Sequence, residues 1–428
     1  MKYIITTLGC KVNQYETQAM EAMLQSHGHS PAIAGEIADA IVVNTCAVTA
    51  ESGRKSRQAI RRLRDENPGA VLGVCGCYSQ ISPEEAEKLG ASVIFGAADR
   101  GDFIAAVEKA VSGGEGEQRI DEPFKRRSIE RLPAGALAGR TRAMLKIQDG
   151  CVNFCTYCII PYTRGRLRSL PMDEAAAEAR RLSAEGYKEL VLTGIEVASY
   201  GADLPGRPGL ADVIEAVANG CGDMRIRLGS LEPTVITEDF CRRIAATNKL
   251  CRHFHLSLQS GCDRTLKNMN RKYDTARFYE AVCLLRKYFP GCAIACDLIT
   301  GFPGETEQDQ QDTLEFIRRC AFSAMHIFPY SRRPGTPADS MPMQLTQAVK
   351  STRAHEAGLI AEELHQAFLQ ESVGLILPVL FEHEEGGRCS GHSDTYLVVS
   401  VPGTGLRGQI LPVRITGVSG DELIGEIV

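Results

Sequence analysis

KIQDGCVNFCTYCIIPYTRGR, residues 146–166, is the stretch that decides how this chain is read. It carries Cys151, Cys155 and Cys158 in the spacing C-x3-C-x2-C, three thiols within eight residues. Such a set suits a metal centre that keeps one coordination position open. A 4Fe–4S cluster normally takes four Cys ligands, so a three-Cys loop leaves one iron free for a small molecule. The competing readings are a structural zinc loop, a disulfide, or core cysteines. Structural zinc usually completes four ligands from paired C-x2-C knuckles, and no fourth Cys or His lies nearby in the sequence. A disulfide leaves one of the three unpaired.

Outward from this loop, six strand-like runs succeed one another: AMLKIQ (143–148), ELVLTG (189–194), RIRLGS (225–230), HFHLSLQ (253–259), IACDLITG (294–301) and SAMHIFPY (323–330). Amphipathic helical stretches separate them, among them MDEAAAEARRLSAEG and TARFYEAVCLLRKYF. Six βα units over about 190 residues predict an open, incomplete (βα)6 barrel rather than a full eightfold one. The cysteine loop follows the first strand, on the face where such folds place their chemistry.

Before the barrel, residues 1–114 read as an α/β unit with a parallel sheet. KYIITTLG, AIVVNT, AVLGVCG and SVIFG are its strands; Ser82, Pro83 and Glu85 predict a capped helix start, with Glu85 closing a capping box. Each of the first three strands ends in a cysteine: Cys10, Cys46 and Cys77. A parallel sheet brings the carboxyl ends of its strands to one edge, where ligands bind. The three should therefore converge on a second cluster, although buried core cysteines are the plainer reading. Strand alternation points Cys75 the same way as Cys77; Cys77, after Gly76 at the strand end, is the chosen ligand. Residues 115–140 read as a linker, 141–368 as the barrel domain, and 369–428, with alternating apolar runs and Gly/Pro turns, as a small all-β barrel.

Composition is that of a soluble protein, 44% hydrophobic and 24% charged. The start MKYIITTLGCKVNQ is too quickly polar for a secretory signal, and no apolar run is long enough to span a membrane. Sixteen cysteines without an export signal point to a reducing, cytoplasmic setting. Net charge is −5, so any nucleic-acid partner must be met by local patches.

At this point the loop resembles that of radical S-adenosylmethionine (SAM) enzymes. The whole chain is similar to the methylthiotransferases among them, through GCKVNQYET, VVNTCAVT, GVCGCYSQ, RIRLGSLEP, HLSLQSGCDRTLKNMNRKY, DLITGFPGET and FPYSRRPGT in that order. The terminal barrel, with GHSDTYLVV, resembles the family's RNA-binding TRAM domain. The resemblance implies two 4Fe–4S clusters and SAM. Cys151, Cys155 and Cys158 would hold the radical-generating cluster; Cys10, Cys46 and Cys77 would hold an auxiliary cluster that carries the sulfur. It further implies tRNA as substrate, a low-potential electron donor, a sulfur source, no membrane, and a monomer. The GCKVNQ opening is most similar to the branch that modifies C2 of N6-threonylcarbamoyladenosine beside the anticodon. The alternatives are isopentenyladenosine in tRNA, an aspartate of a ribosomal protein, or an RNA-binding iron–sulfur redox sensor without turnover.

For SAM, the expected contacts are Tyr157 beside the third loop cysteine, Thr193, Gly194 and Glu196 after the second barrel strand, Ser230 and Glu232 after the third, and Ile299 and Gly301 on the fifth. Many relatives place Gly-Gly-Glu where this chain has Thr193-Gly194-Ile195-Glu196. For RNA phosphates, the expected residues are Arg126 and Arg127 in the linker and Arg164, Arg166 and Arg168 flanking the loop, with further cations at Lys125, Arg131, Arg140 and Arg142. From Glu371 to Val428 there are three Arg, no Lys and eight acidic residues, which makes the terminal barrel an awkward phosphate binder.

Overall fold

The computed structural model describes residues 1–133 and 141–428; Arg140, one of the linker cations, lies outside the described residues. The N-terminal strands are β1 (Lys2–Thr7), β2 (Ser30–Pro31), β3 (Ala40–Thr45), β4 (Val71–Gly76), β5 (Val93–Phe95) and β6 (Glu117–Arg119). They form one parallel sheet in the order β2-β1-β3-β4-β5-β6. Every residue of β3 is buried, as a parallel strand covered on both faces requires. The helices are α1 (Lys11–Ser26), α2 (Ala50–Glu66), α3 (Cys77–Ile81), α4 (Pro83–Lys88) and α5 (Arg100–Val111). Met20 of α1 and Phe103 of α5 pack with Tyr3, Val42 and Phe95 on one face. Ile60 of α2 and Ala86 of α4 pack with Ile41, Val43 and Val74 on the other.

Two local expectations change. Glu117–Arg119, read as linker, pairs with β5 as the edge strand of this sheet. Ser82 and Pro83 do open α4, but no side-chain cap forms. Glu85 turns away to the hydroxyl of Tyr78 and to Arg57, whose charge outbids a backbone amide for the carboxylate.

The central strands are β7 (Arg142–Lys146), β10 (Glu189–Thr193), β11 (Arg225–Leu228), β12 (Ser230–Leu231), β13 (His253–Gln259), β14 (Ala293–Thr300) and β15 (Ala324–Pro329); the short pair β8 (Gln148–Asp149) and β9 (Arg168–Ser169) brackets the cysteine loop. They make two parallel sheets, β11-β10-β7 and β12-β13-β14-β15, joined at Gly229, where β11 runs into β12. This is the open six-unit barrel expected, with β7 and β15 as its free edges. Helix α1 leans on the β7 side: Tyr15 joins the barrel core, and its hydroxyl donates to the Leu132 carbonyl at 2.8 Å.

A helix over Gln347–Glu371 leads to a closed barrel of β16 (Ile376–Glu385), β17 (Arg388–Ser393), β18 (Val398–Pro402), β19 (Ile410–Ser419) and β20 (Glu422–Ile427). Val379, Phe381, Val399, Val401, Val413 and Ile415 fill it. Among the described residues, no helix is long and apolar enough to cross a membrane.

The acidity of this small barrel has a structural use. Glu382 pairs with Arg142 at 2.8 Å, and Asp394 with Arg252 at 2.7 Å. Arg225 donates to the carbonyls of Pro378 and His392, and Arg227 to those of Ser393 and Asp394. Both arginines also grip Glu189, which is fully buried. Burial opposes ionisation of Glu189, but Arg227 and Arg225 win and hold its carboxyl at about 2. Tyr396 is pressed between His253 and His392, ring centroids 4.9 and 4.8 Å away, with the Arg227 guanidinium 4.7 Å over its face.

Candidate active site

Cys10 stands at the N-cap of α1, Cys46 follows β3, and Cys77 opens α3 directly after β4. Gly76 makes the last turn possible. Its φ is +109°, and a Cβ there would lie 2.4 Å from the Thr45 carbonyl oxygen, so only glycine lets the chain leave the strand in this way. Strand alternation is broken at this point. Cys75 lies in the sheet core with Tyr3 and Phe103, and Cys77 is turned to the sheet edge. Cys10 is exposed at the rim of the site, with Arg164 and the thiols of Cys77 and Cys46 as its charged neighbours. Burial raises the Cys46 thiol, with Cys77 again beside it. The three strand-end cysteines therefore share one site.

The cysteine loop is tied down by backbone. Cys151 N donates to Gly165 O at 3.0 Å, and Thr156 N to Met269 O at 3.1 Å. Asn270 Nδ2 donates to the carbonyls of Asn153 and Phe154. Arg271 Nη1 donates to Cys155 Sγ at 3.1 Å. Burial pushes Cys151 and Cys158 up to about 12. The neighbours that raise Cys158 include Cys155 of its own loop and Cys77 of the other set, so the two cysteine triads are adjacent.

These residues fit iron–sulfur clusters. Each triad has an arginine donating to a sulfur: Arg271 to Cys155, and Arg164 Nε to Cys77 Sγ at 3.3 Å. A guanidinium on each of these sulfurs would offset the negative charge that iron-bound sulfur carries. Arg271 Nη2 is buried and makes no hydrogen bond among the described residues, its acid, Glu232 Oε1, standing 3.6 Å away. Among the described residues no three His, Cys, Asp or Glu side chains close around a single metal ion. A cluster of several irons is held at its corners and needs its thiolates spread wider than one ion does.

Arg164 overturns part of the expected RNA surface. It is fully buried, with Nη1 and Nη2 on Glu16, Nη2 also 2.8 Å from Asn13 Oδ1, and Asp149 within 3.4 Å. Glu16 of α1 further accepts from Arg100 and from Lys146 of β7. Arg168 is buried too, 3.5 Å from Asp149 and donating to the carbonyls of Arg164 and Arg166. Arg126 is turned inward onto Asp121 and Gln80. Arg164 ties α1 to the barrel through Glu16, Arg126 joins Gln80 to the Thr163 carbonyl, and Arg168 is spent on Asp149 within the barrel, so all three charges are answered by protein groups. Arg127 and Arg166 are exposed, and among the described residues the side chain of each donates to the Phe124 carbonyl. Beside them Phe124 stacks on Phe154 at 6.2 Å, and Phe154 meets Tyr162 edge-on, all three partly exposed.

On the SAM side, Asn153 Nδ2 bridges Glu196 and Glu232 at 3.3 and 3.1 Å. Arg271 lies 3.6 Å from Glu232. Burial, reinforced by Glu232 and opposed by Arg271, lifts the Glu196 carboxyl to about 7. Gln148 Oε1 accepts from Glu196 N at 2.7 Å, fixing the turn after Thr193 and Gly194. Thr193 is itself buried at the strand end. Tyr157 and Ile299 line a cavity of about 370 Å³ with Cys10, Gln259, Asp297 and Tyr330. Ser230 Oγ sits 2.8 Å from His255 Nδ1. Gly301 departs from expectation: a Cβ there would meet Lys350 Cγ at 2.4 Å, so it seats the Gln347–Glu371 helix and does not line the pocket. Asn153 and Arg271 were not singled out from sequence. Asn153 lies inside the C-x3-C spacing, where a polar side chain was the available signal; Arg271 has none, being 116 residues from the sulfur it meets.

Two family models match the chain: the radical SAM superfamily over residues 145–317 and the uncharacterized protein family UPF0004 over residues 2–96. The chain is 38% identical to a threonylcarbamoyladenosine tRNA methylthiotransferase MtaB of Bacillus subtilis, covering 96% of this chain and 92% of that protein. It is 34% identical to a tRNA-2-methylthio-N(6)-dimethylallyladenosine synthase of Pelotomaculum thermopropionicum, covering 97% and 95%. In fold it is similar to the radical SAM methyltransferase TsrM of Kitasatospora setae, solved with cobalamin and a [4Fe-4S] cluster bound. The TM-score there is 0.57 at 15% identity, covering 79% of this chain and 77% of that one.

Proposed function

The chain belongs to the radical-SAM methylthiotransferases, and on that premise we propose that it inserts a methylthio group at C2 of N6-threonylcarbamoyladenosine in tRNA. The observation that carries the reading is the meeting of two cysteine triads from opposite ends of the first 160 residues, Cys10, Cys46 and Cys77 with Cys151, Cys155 and Cys158, across a cavity that Cys10 and Tyr157 both line. When bound, the two clusters and SAM supply the radical, the sulfur and the methyl group.

The chain's own residues do the rest. The two triads are the ligands, one set per cluster. Glu196 and Glu232, held by Asn153, would take the ammonium of SAM, with Gly194 in the turn that carries Glu196. Ser230 would reach a ribose hydroxyl, while Tyr157 and Ile299, which line the cavity, would give the adenine an apolar wall. Arg164 and Arg271 neutralise sulfur charge. The protein's part is to hold the reacting groups in register and keep water away from the radical. Arg127 and Arg166 with the rings of Phe124, Phe154 and Tyr162 provide cations and stacking faces for an unpaired RNA loop. A low-potential donor and a sulfur source serve the enzyme, which acts in the cytoplasm as a monomer.

The relatives named for dimethylallyladenosine favour a second substrate reading in the same reaction class. Mass spectrometry of tRNA nucleosides from a deletion strain separates them. Loss of 2-methylthio-N6-threonylcarbamoyladenosine is expected; loss of the methylthio-dimethylallyl nucleoside instead would replace the substrate.

A further inference from the structure

Lys11, the residue after Cys10, lines a second cavity of about 530 Å³, walled by α1, by β7, β10 and β11, and by the terminal barrel. It is rich in cations. Two of them are answered: Arg142 by Glu382 at 2.8 Å, and Arg227 by Glu189 at 2.7 and 2.9 Å. Lys11 is different. Its half-buried side chain lines the cavity without a hydrogen-bond or ion-pair partner among the described residues, close enough to feel the charges of Arg227 and Arg142, which the more weakly acting Glu189 and Asp297 oppose. A cation gathered with others out of bulk water is costly unless an anion joins it. Gln14 and Gln18 follow on the same stripe of α1 and line the same cavity.

We propose that Lys11 binds the carboxylate of the substrate's threonyl arm and so sets which modified adenosine is accepted. The proposal rests on the threonylcarbamoyl reading above and deepens it. In adenine, C2 and the N6 substituent flank N1 on one edge of the ring. A base that offers C2 to the Cys10 side therefore lays its N6 arm beside the next residues, and the next residue is Lys11. The arm's carboxylate meets the ammonium; its urea and hydroxyl groups meet the amides of Gln14 and Gln18. A dimethylallyl arm has no group for any of the three and would leave the lysine unanswered.

The test compares anticodon stem-loops that differ only at the target base: N6-threonylcarbamoyladenosine, its methyl ester, dimethylallyladenosine and plain adenosine. Binding to full-length, anaerobically reconstituted enzyme is measured by fluorescence anisotropy, and KM and kcat by nucleoside analysis. The free acid is expected to bind about 10- to 100-fold tighter than its ester, the worth of a charged hydrogen bond. Lys11→Met should erase that preference, with the cost in KM, and Lys11→Arg should restore part of it. Because Lys11 adjoins Cys10, iron content and the visible spectrum of each variant are recorded; the acid-to-ester ratio of the unmutated enzyme decides even where a variant loads poorly. Equal affinity for acid and ester, or a preference that survives Lys11→Met within about two-fold, overturns the proposal. An unmutated enzyme that modifies only the dimethylallyl stem-loop overturns the substrate reading itself, and the two failures are thus distinct.

Discussion

Replacing Glu16 by Gln removes one negative charge from a place where three cations converge on it. Glu16 is fully buried, with Arg100 Nη2 at 2.8 Å, Lys146 Nζ at 3.1 Å and Arg164 Nη2 at 3.1 Å. Asp149 then remains as the acid for Lys146 and Arg164, and the Arg100 guanidinium keeps the carbonyls of Gly96 and Ala98, with Glu130 as its nearby carboxylate. Breaking a buried pair from one side costs about 3–5 kcal/mol. At about 1.4 kcal/mol per tenfold, the opening of α1 from the barrel should become easier by about two to four powers of ten. Amide hydrogen exchange of the full chain reads this directly in α1 and β7, and does not need two-state unfolding. The pH dependence gives a second handle. Burial disfavours the charged carboxylate, but Arg100, Arg164 and Lys146 together hold its carboxyl well below the ordinary range. That stabilisation is fully present above about pH 4.5, the range of an unfolded carboxyl, and is lost as pH falls below it. The variant should lose this part of the acid sensitivity. Exchange in α1 that changes less than about tenfold would refute the claim that this knot joins the two units.

Mutation of Cys10, Cys46 and Cys77 together to Ala should leave about four of about eight irons after reconstitution, and an unchanged iron count would remove them as ligands. Arg127→Ala and Arg166→Ala should each flatten the salt dependence of RNA binding by about 0.7–0.9 in log–log slope; a slope equal to that of the unmutated protein would move the phosphate path elsewhere. Glu189, with its carboxyl at about 2, contributes docking of the terminal barrel that is complete above about pH 4.5 and is lost as pH falls toward 2. Glu189→Gln should therefore raise protease cutting within Gln347–Glu371 at neutral pH, and an unchanged digestion rate would show that the barrel is held without Arg225 and Arg227.

Much of this protein is written locally. The period-two runs, the apolar strands and the helix faces fall where the sequence puts them, and the three strand-end cysteines were visible as such. What failed did so where a distant group took over a local one. Glu85 was read as a cap and serves Tyr78 and Arg57. Gly301 was read as pocket and makes room for Lys350, 49 residues on. Arg126, Arg164 and Arg168 looked like three exposed cations because charge in a sequence carries no sign of burial.

By itself, the sequence determined the chemistry: three closely spaced thiols with an open position, three more repeated at successive strand ends, and an α/β order that puts both at carboxyl ends of parallel strands. Those facts depend on spacing, and spacing is local. Only the tertiary structure decided how the sites are joined and charged. Glu16, Lys146 and Arg164 come from elements up to 148 residues apart, and they meet because α1 covers the β7 edge of the open barrel. The same packing turns the acids of the terminal barrel onto arginines and leaves Lys11 in a cavity whose lining carboxylate, Glu382, is taken by Arg142. Coulomb energy is set by distance and by the water between charges, and neither quantity exists until the chain has folded.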